Sequence, residues 1–199
     1  MHILLDADEV LVELLEGMNS FYNERHGTSF KKDDYKSYHW WETWNCSFEY
    51  AVQVCDDFMN SQSAVSMNPV DGSVQGVRLL KERNHVLSIA TSRSIMYETA
   101  TKEWLRRTYG EGAFRGIHLL SHYDGNASPV LKSTIALNEG IHLAVDDQTR
   151  HALDYASASI PCLLFHQPWN KDDKLPSQTI RVYSWNDILR EVEMMEELK

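Results

Sequence analysis

Apolar residues in this chain gather in short runs that stop at polar clusters. His2 to Leu5 halts at Asp6, Val86 to Ala90 at Thr91, and Ile141 to Val145 at Asp146. A short apolar run that breaks off at a compact polar group is the pattern of a buried parallel strand delivering its last residue to the sheet edge. Helical patterns occupy the intervals, at 71–83 and 95–108 around the second run and at 129–138 and 149–157 around the third. Strand and helix alternate, which predicts a doubly wound, Rossmann-like α/β fold with a parallel sheet. Residues 116–120 and 161–165 read as further strands, and Ser184 opens a closing helix over Trp185 to Leu198, for a sheet of five or six strands. Ligands of such sheets bind beyond the strand carboxyl ends, where all three polar clusters fall.

Residues 13–70 break the alternation. An amphipathic stretch at 11–25, the aromatic-rich segment KSYHWWETWNCSFEY and a second helical stretch near 47–60 predict a small helical cap inserted after the first strand. Residues 1–12 and 71–199 then form the α/β core. The segment 166–178, with Pro168, Pro176 and Lys171-Asp172-Asp173-Lys174, is expected to be a solvated surface loop.

Composition narrows the function. With 199 residues the chain has the bulk of one ordinary domain, and 43% hydrophobic with 24% charged residues excludes low-complexity and fibrous classes. The net charge of −10 is the wrong sign for gripping a nucleic-acid polymer. Small phosphorylated molecules stay in play, because a bound cation reverses a negative field locally. Cys46, Cys55 and Cys162 form no CxxC pair, so neither a disulfide framework nor a thiolate zinc site is expected. The start MHILLDADEV lacks the basic opening of a signal peptide, and no apolar run approaches the roughly 20 residues of a membrane span. A cytoplasmic protein without membrane contact is therefore expected; a homodimer is left open.

The chemistry lies in the polar clusters. Acidic residues after strands commonly serve turns and helix caps. Asp6, Asp8, Asp146 and Asp147, however, put four carboxylates at one edge. At ~4 Å apart in a partly dry site each pair costs on the order of 4 kcal/mol, unless a proton or cation intervenes. Oxygen-only ligands favour Mg2+, which accepts phosphate oxygens in place of its waters. Thr91 and Ser92 offer hydroxyls and N–H groups to a phosphate, and Lys132 offers a fixed positive charge.

The ordered set ILLDADEVL, VLSIATS, Lys132 and LAVDD resembles the haloacid dehalogenase-like phosphohydrolase superfamily. Within it the chain is most similar to the 5′(3′)-deoxyribonucleotidases, which share the Thr-Ser pair, the Asp-Asp pair and a segment like Tyr183-Ser184-Trp185-Asn186-Asp187. That resemblance implies a magnesium-dependent phosphomonoesterase working through an aspartyl-phosphate. Asp6 is the implied nucleophile and metal ligand. Asp8 is the implied acid and base, with its main-chain carbonyl on the metal. Thr91 and Lys132 would hold phosphoryl oxygens with help from Ser92; Asp147 would complete the metal shell, and Asp146 would ligate or support it. The implied substrate is a deoxyribonucleoside 5′-monophosphate. A sugar phosphatase, or phosphatase of another small metabolite, is the alternative on the same scaffold; a silent phosphate-binding module is the alternative of another class, disfavoured by the presence of both Asp6 and Asp8.

Two features depart from the pattern. Many relatives place Gly after the second Asp, where this chain has Glu9, so either the turn differs or strain is tolerated. Lys132 lies about one helical turn further from the acidic pair than expected, which makes Lys102 the substitute lysine. Among aromatics, Trp41 and Trp44 are candidates for stacking on a base, although core packing is the simpler role for either; three apart on a helix, they would expose one ring and bury the other. Arg93 is expected to reach a phosphate or base, or else to form a surface salt bridge. His118 and His122 are read as structural.

Overall fold

The computed structural model describes residues 1–122 and 130–197. Residue 129 of the expected helix 129–138 and Leu198 of the closing helix lie outside the described residues. Six parallel strands form one sheet: β1 (His2–Leu5), β2 (Val86–Thr91), β3 (Gly116–Leu119), β4 (Leu143–Asp146), β5 (Cys162–Phe165) and β6 (Thr179–Val182), in the order β3-β2-β1-β4-β5-β6. The chain runs outward from β1 through β2 to β3, then returns to the other side of β1 as β4. That reversal opens the crevice at the carboxyl ends of β1 and β4 where such folds place ligands. The sixth strand, Thr179–Val182, is half-exposed at the edge and carries only a weak apolar signal, so its position was not legible in the sequence.

Helices cover both faces. Strand alternation sends Ile3 and Leu5 into the larger apolar cluster and Leu4 into the smaller one. On the smaller side lie α7 (Lys132–Glu139) and α8 (Thr149–Ser157), which contribute Ala136, Ala152 and Tyr155. The larger cluster takes in α5 (Ser73–Glu82), α6 (Glu98–Tyr109) and α9 (Trp185–Glu197). The expected helix 95–108 opens instead as a 3₁₀ turn, Ile95–Tyr97, before α6 begins.

Between β1 and β2 the chain forms α1 (Leu14–His26), a 3₁₀ turn at Lys32–Asp34, α2 (Trp40–Trp44), α3 (Phe48–Met59) and α4 (Gln62–Val65). Ser47 caps α3 by accepting from the Tyr50 N–H, and Gly27 ends α1 in the left-handed conformation that glycine adopts freely. Met18, Trp44 and Phe58 belong to the same apolar cluster as Leu5 and Val145, so the core of this helical segment is continuous with that of the sheet. No helix among the described residues is long and apolar enough to cross a membrane. Cys46, Cys55 and Cys162 are free thiols.

The loop after β1 is clamped from below. Trp185 Nε1 donates to the Val10 carbonyl at 2.9 Å, and the Tyr109 hydroxyl donates to that of Leu11 at 2.7 Å. Gly76 leaves the room Trp185 needs, since a Cβ there would sit 2.2 Å from its ring.

Candidate active site

Sheet register brings the acidic tips together. Leu5 of β1 pairs with Ile89 of β2 on one side and Val145 of β4 on the other. Asp6 and Asp146, each one residue further on, therefore emerge side by side, with Thr91 beside them. Asp6, Asp146 and Asp147 offer carboxylate oxygens that all lie within 4.8 Å of one another, and all three are buried.

Lys132, the first residue of α7, is fully buried against them. Its Nζ lies 2.9 Å from Asp6 Oδ2 and 2.8 Å from Asp146 Oδ2. Lys102 sits elsewhere, paired with Glu98 on the exposed face of α6 at 2.6 Å. It is the N-terminal end of α7 that meets the strand tips. Burial works against the Lys132 charge, but Asp146 and Asp6 outweigh it and hold the ammonium well above the usual lysine range. Asp6 is pushed up to about 7, chiefly by burial and further by Asp146 and Asp8, against the pull of Lys132. Burial likewise raises Asp147, with Asp6 and Asp146 adding repulsion. Three carboxylates against one ammonium leave an excess of negative charge in a dry place.

The hydrogen bonds separate Asp146 from Asp147. Asp146 is used up by its neighbours: Oδ2 by Lys132, Oδ1 by the Gln148 N–H at 3.1 Å. Asp147 Oδ2 accepts from Trp169 Nε1 at 3.1 Å, while Oδ1 is buried with no hydrogen-bond partner among the described residues. A buried, unpartnered carboxylate oxygen beside two further carboxylates is the donor set a hard divalent cation fits.

Asp8 stands apart from this triad. Its carboxylate faces Arg93, which reaches it from Nε at 3.0 and 3.2 Å and from NH2 at 2.6 Å. Arg93 NH1 donates to Thr101 Oγ1 at 3.0 Å. The guanidinium is buried, so the alternative of a surface salt bridge is corrected to an interior one. Burial opposes the Arg93 charge, and Asp8 more than compensates. The Asp8 carboxylate therefore lies in an ion pair outside the cluster of Asp6, Asp146 and Asp147.

Thr91 is fully buried at the end of β2, and its Oγ1 accepts from the Arg93 N–H at 3.3 Å. Ser92 Oγ lies 3.0 Å from His122 Nδ1, a link that nothing in the sequence spacing signals. His118 sits in β3, with Nε2 2.5 Å from Glu139 Oε1.

Glu9 adopts φ 60°, a left-handed conformation costly for a residue with a Cβ. Its side chain holds the turn: Oε1 accepts from the Leu15 N–H at 2.7 Å and Oε2 pairs with Lys32 at 2.5 Å. Burial pushes its carboxyl up to about 7. Of the two alternatives at this position, a strained turn is the one adopted, and contacts to α1 and Lys32 hold it.

The segment 166–178 corrects the expectation of a solvated loop. Lys171 to Lys174 are exposed, but Gln167 and Asn170 are buried, because they satisfy polar groups at the site. Gln167 Nε2 donates to the Glu9 carbonyl at 3.1 Å, and Asn170 Nδ2 to the Asp147 carbonyl at 2.8 Å. Trp169 is a site residue that the loop-like composition concealed.

Beyond Asp8 opens a cleft of about 780 Å3 including its mouth. Tyr38, Trp40, Trp41, Phe48, Met59 and Tyr97 line it with Asp8, Ser92, Arg93 and Ser94. Trp41 faces this cleft. Trp44 does not: it is buried, stacked on Tyr22 at 4.2 Å, with Nε1 donating to the Tyr35 hydroxyl at 2.5 Å. Its candidacy as a substrate contact is corrected to core packing, because Tyr22 and Tyr35 enclose the ring and take up its N–H.

The model of the family described as 5′ nucleotidase, deoxy (Pyrimidine), cytosolic type C protein matches residues 1–195. The chain belongs to that family. It shares the fold of the haloacid dehalogenase-like hydrolases. A predicted phosphatase from Clostridium acetobutylicum superposes with TM-score 0.70 at 15% identity, covering 97% of this chain and 98% of that one. The magnesium-bound hydrolase YfnB from Bacillus subtilis gives TM-score 0.61 at 13% identity, covering 96% and 98%. At these identities the likeness is one of fold. An uncharacterized 32.4 kDa protein of the Gp30-rIII intergenic region of Enterobacteria phage T4 is 22% identical over 144 residues, 72% of this chain and 51% of that protein. The chain thus spans about half the length of that relative.

Proposed function

We propose that the protein is a magnesium-dependent 5′-nucleotidase that hydrolyses deoxyribonucleoside monophosphates through an aspartyl-phosphate on Asp6. The observation that carries this reading is the junction at Asp8: a buried Asp6–Lys132–Asp146–Asp147 cluster on one side and an aromatic cleft on the other.

In this reading Asp6 attacks phosphorus, forming an O–P bond as the ester O–P bond breaks. Asp8, at the boundary with the cleft, gives a proton to the departing oxygen; it then takes one from the water that splits the aspartyl-phosphate and releases inorganic phosphate. The Ala7 N–H donates to Asp6 Oδ1 at 2.8 Å and orients the nucleophile. Lys132, Thr91 and Ser92 hold phosphoryl oxygens, and Arg93 positions Asp8. Asp6 and Asp147 are the side chains that would hold the magnesium ion, with the Asp8 carbonyl. Asp146, occupied by Lys132 and the Gln148 N–H, supports them. When bound, the ion supplies charge neutralisation at the phosphoryl oxygens. The bound magnesium of YfnB supports this choice of ion. Residues 13–70 act as the cap: Tyr38, Trp40, Trp41 and Phe48 come from them and wall the leaving-group side.

A base is flat and apolar on its faces, which suits a ring-lined cleft; a bare sugar wants more polar groups than this one offers. The test is phosphate release in magnesium from a panel of deoxyribonucleotides, ribonucleotides and sugar phosphates. Deoxyribonucleotides are expected to have the highest kcat/KM. Turnover of sugar phosphates at equal or greater efficiency would overturn the substrate assignment.

A further inference from the structure

The cleft holds one charged group that the chemistry above does not use. Asp56, on α3, lines it together with Trp41, Ser94 and Tyr97. The Tyr97 hydroxyl, from the 3₁₀ turn after β2, donates to Asp56 Oδ1 and fixes the carboxylate across the cleft. The next residue, Asp57, is neutralised by Arg25 at the surface. Asp56 has no ion-pair partner among the described residues, and the cleft's other charges, Asp8 and Arg93, are spent on each other. One negative charge is therefore left without a cationic partner on the wall of the cleft.

A substrate whose leaving group carries a second anionic group meets repulsion there. One that presents an N–H or O–H meets an acceptor. We propose that Asp56 is a specificity-determining residue that rejects phosphate monoesters with anionic leaving groups and admits neutral, hydrogen-bond-donating ones. This deepens the function proposed above and rests on the cleft being the leaving-group side. It extends that reading to a prediction: a nucleoside 5′-monophosphate enters, and the same nucleoside bearing a second phosphate at the 3′ position is refused.

The experiment compares kcat/KM within two pairs that differ in charge, glycerol phosphate against glycerate phosphate and a deoxynucleoside 5′-monophosphate against its 3′,5′-bisphosphate. Wild type, Asp56→Asn and Tyr97→Phe are assayed in saturating magnesium. Wild type is expected to favour the neutral member of each pair. Asp56→Asn should shrink that preference at least tenfold by raising the anionic member, whereas Tyr97→Phe, which keeps the charge, should leave the ratio within threefold. The proposal is overturned if Asp56→Asn slows both members equally, leaves the ratio unchanged, or is matched by Tyr97→Phe. Should Asp56→Asn not fold, the wild-type ratio is read against ionic strength: raising salt must narrow it, and an unmoved ratio overturns the proposal. Hydrolysis of the glycerol pair without any nucleotide turnover ends the nucleotide reading and leaves charge selection to be judged on that pair; no hydrolysis of any monoester ends both.

Discussion

The strand-tip cluster and the aromatic cleft meet at Asp8, yet they are held in place by different forces. At the tips, Lys132 bridges Asp6 and Asp146, backbone N–H groups of Ala7 and Gln148 take further oxygens, and strand register sets the spacing. In the cleft, rings from α2, α3 and the segment before them lean on one another, as Trp41 does edge-on against Phe48 at 4.9 Å. Directional bonds in a dry site fix positions to fractions of an ångström, which reaction chemistry requires. Ring packing fixes shape and leaves substitution room, so the substrate side of such an enzyme varies while its chemistry stays put.

The largest test of that contrast is Asp6→Asn. Turnover should fall by roughly 10⁴-fold or more, with the fold kept, because an amide oxygen is a far weaker nucleophile than the carboxylate it replaces. Stopped activity with an unchanged circular-dichroism spectrum is the expected result; residual activity near wild type breaks the assignment. Lys132→Met comes next. It should cost roughly 10²–10³-fold in kcat and, by leaving buried carboxylates without their ammonium, about 3–5 kcal/mol of stability. Added magnesium should recover part of the stability.

The two tryptophans sharpen the comparison within one short helix. Trp44→Ala should destabilise the protein by about 3–5 kcal/mol, measured by denaturant unfolding, since it empties a site packed against Tyr22. Trp41→Ala should leave stability within about 1 kcal/mol. Its effect belongs in KM, at about 1–3 kcal/mol of lost stacking. The reverse pattern would move the cleft's recognition face to Trp44.

The smallest effect is a pH dependence. Burial raises Asp6 to about 7, and raises Asp147, so the folded protein binds protons at these groups more tightly than the unfolded chain. Without metal their contribution to stability is full below pH 4 and declines as pH rises towards about 7. Buried His151, held below the usual histidine range by burial, acts oppositely, losing stability as pH falls below 6.5. The difference in Tm with and without magnesium cancels the histidine. That difference should grow from pH 5.5 to pH 8, because the ion competes with protons for the same oxygens. A magnesium effect that is flat with pH would place the ion away from Asp6 and Asp147.

Much of this molecule was legible in the order of its residues. Apolar runs ending at Asp6, Thr91 and Asp146 specify strands and their tips, since a buried strand must be apolar on both faces and a strand end is where polarity is affordable. The parallel α/β class has the same local origin, whereas the choice between Lys132 and Lys102 stayed open in the sequence until the start of α7 met the strand tips. What remained hidden depended on contacts between distant positions. Asp8 and Arg93 are 85 residues apart, and only the adjacency of β1 and β2 turns them into an ion pair. Trp169 and Asp147 are 22 apart, in a loop whose prolines and charges look like solvent-facing chain, until burial forces its polar groups to find partners at the site. Glu9 reads as a misplaced residue where glycine belongs; Leu15 and Lys32 turn its strain into a tie between the strand tip and the helices beyond it. Residue type and periodicity act on near neighbours, so the sequence determined elements and which chemistries stand at their ends. Which of two tryptophans faces the cleft, and which aspartate keeps a free oxygen, were decided by packing across the chain.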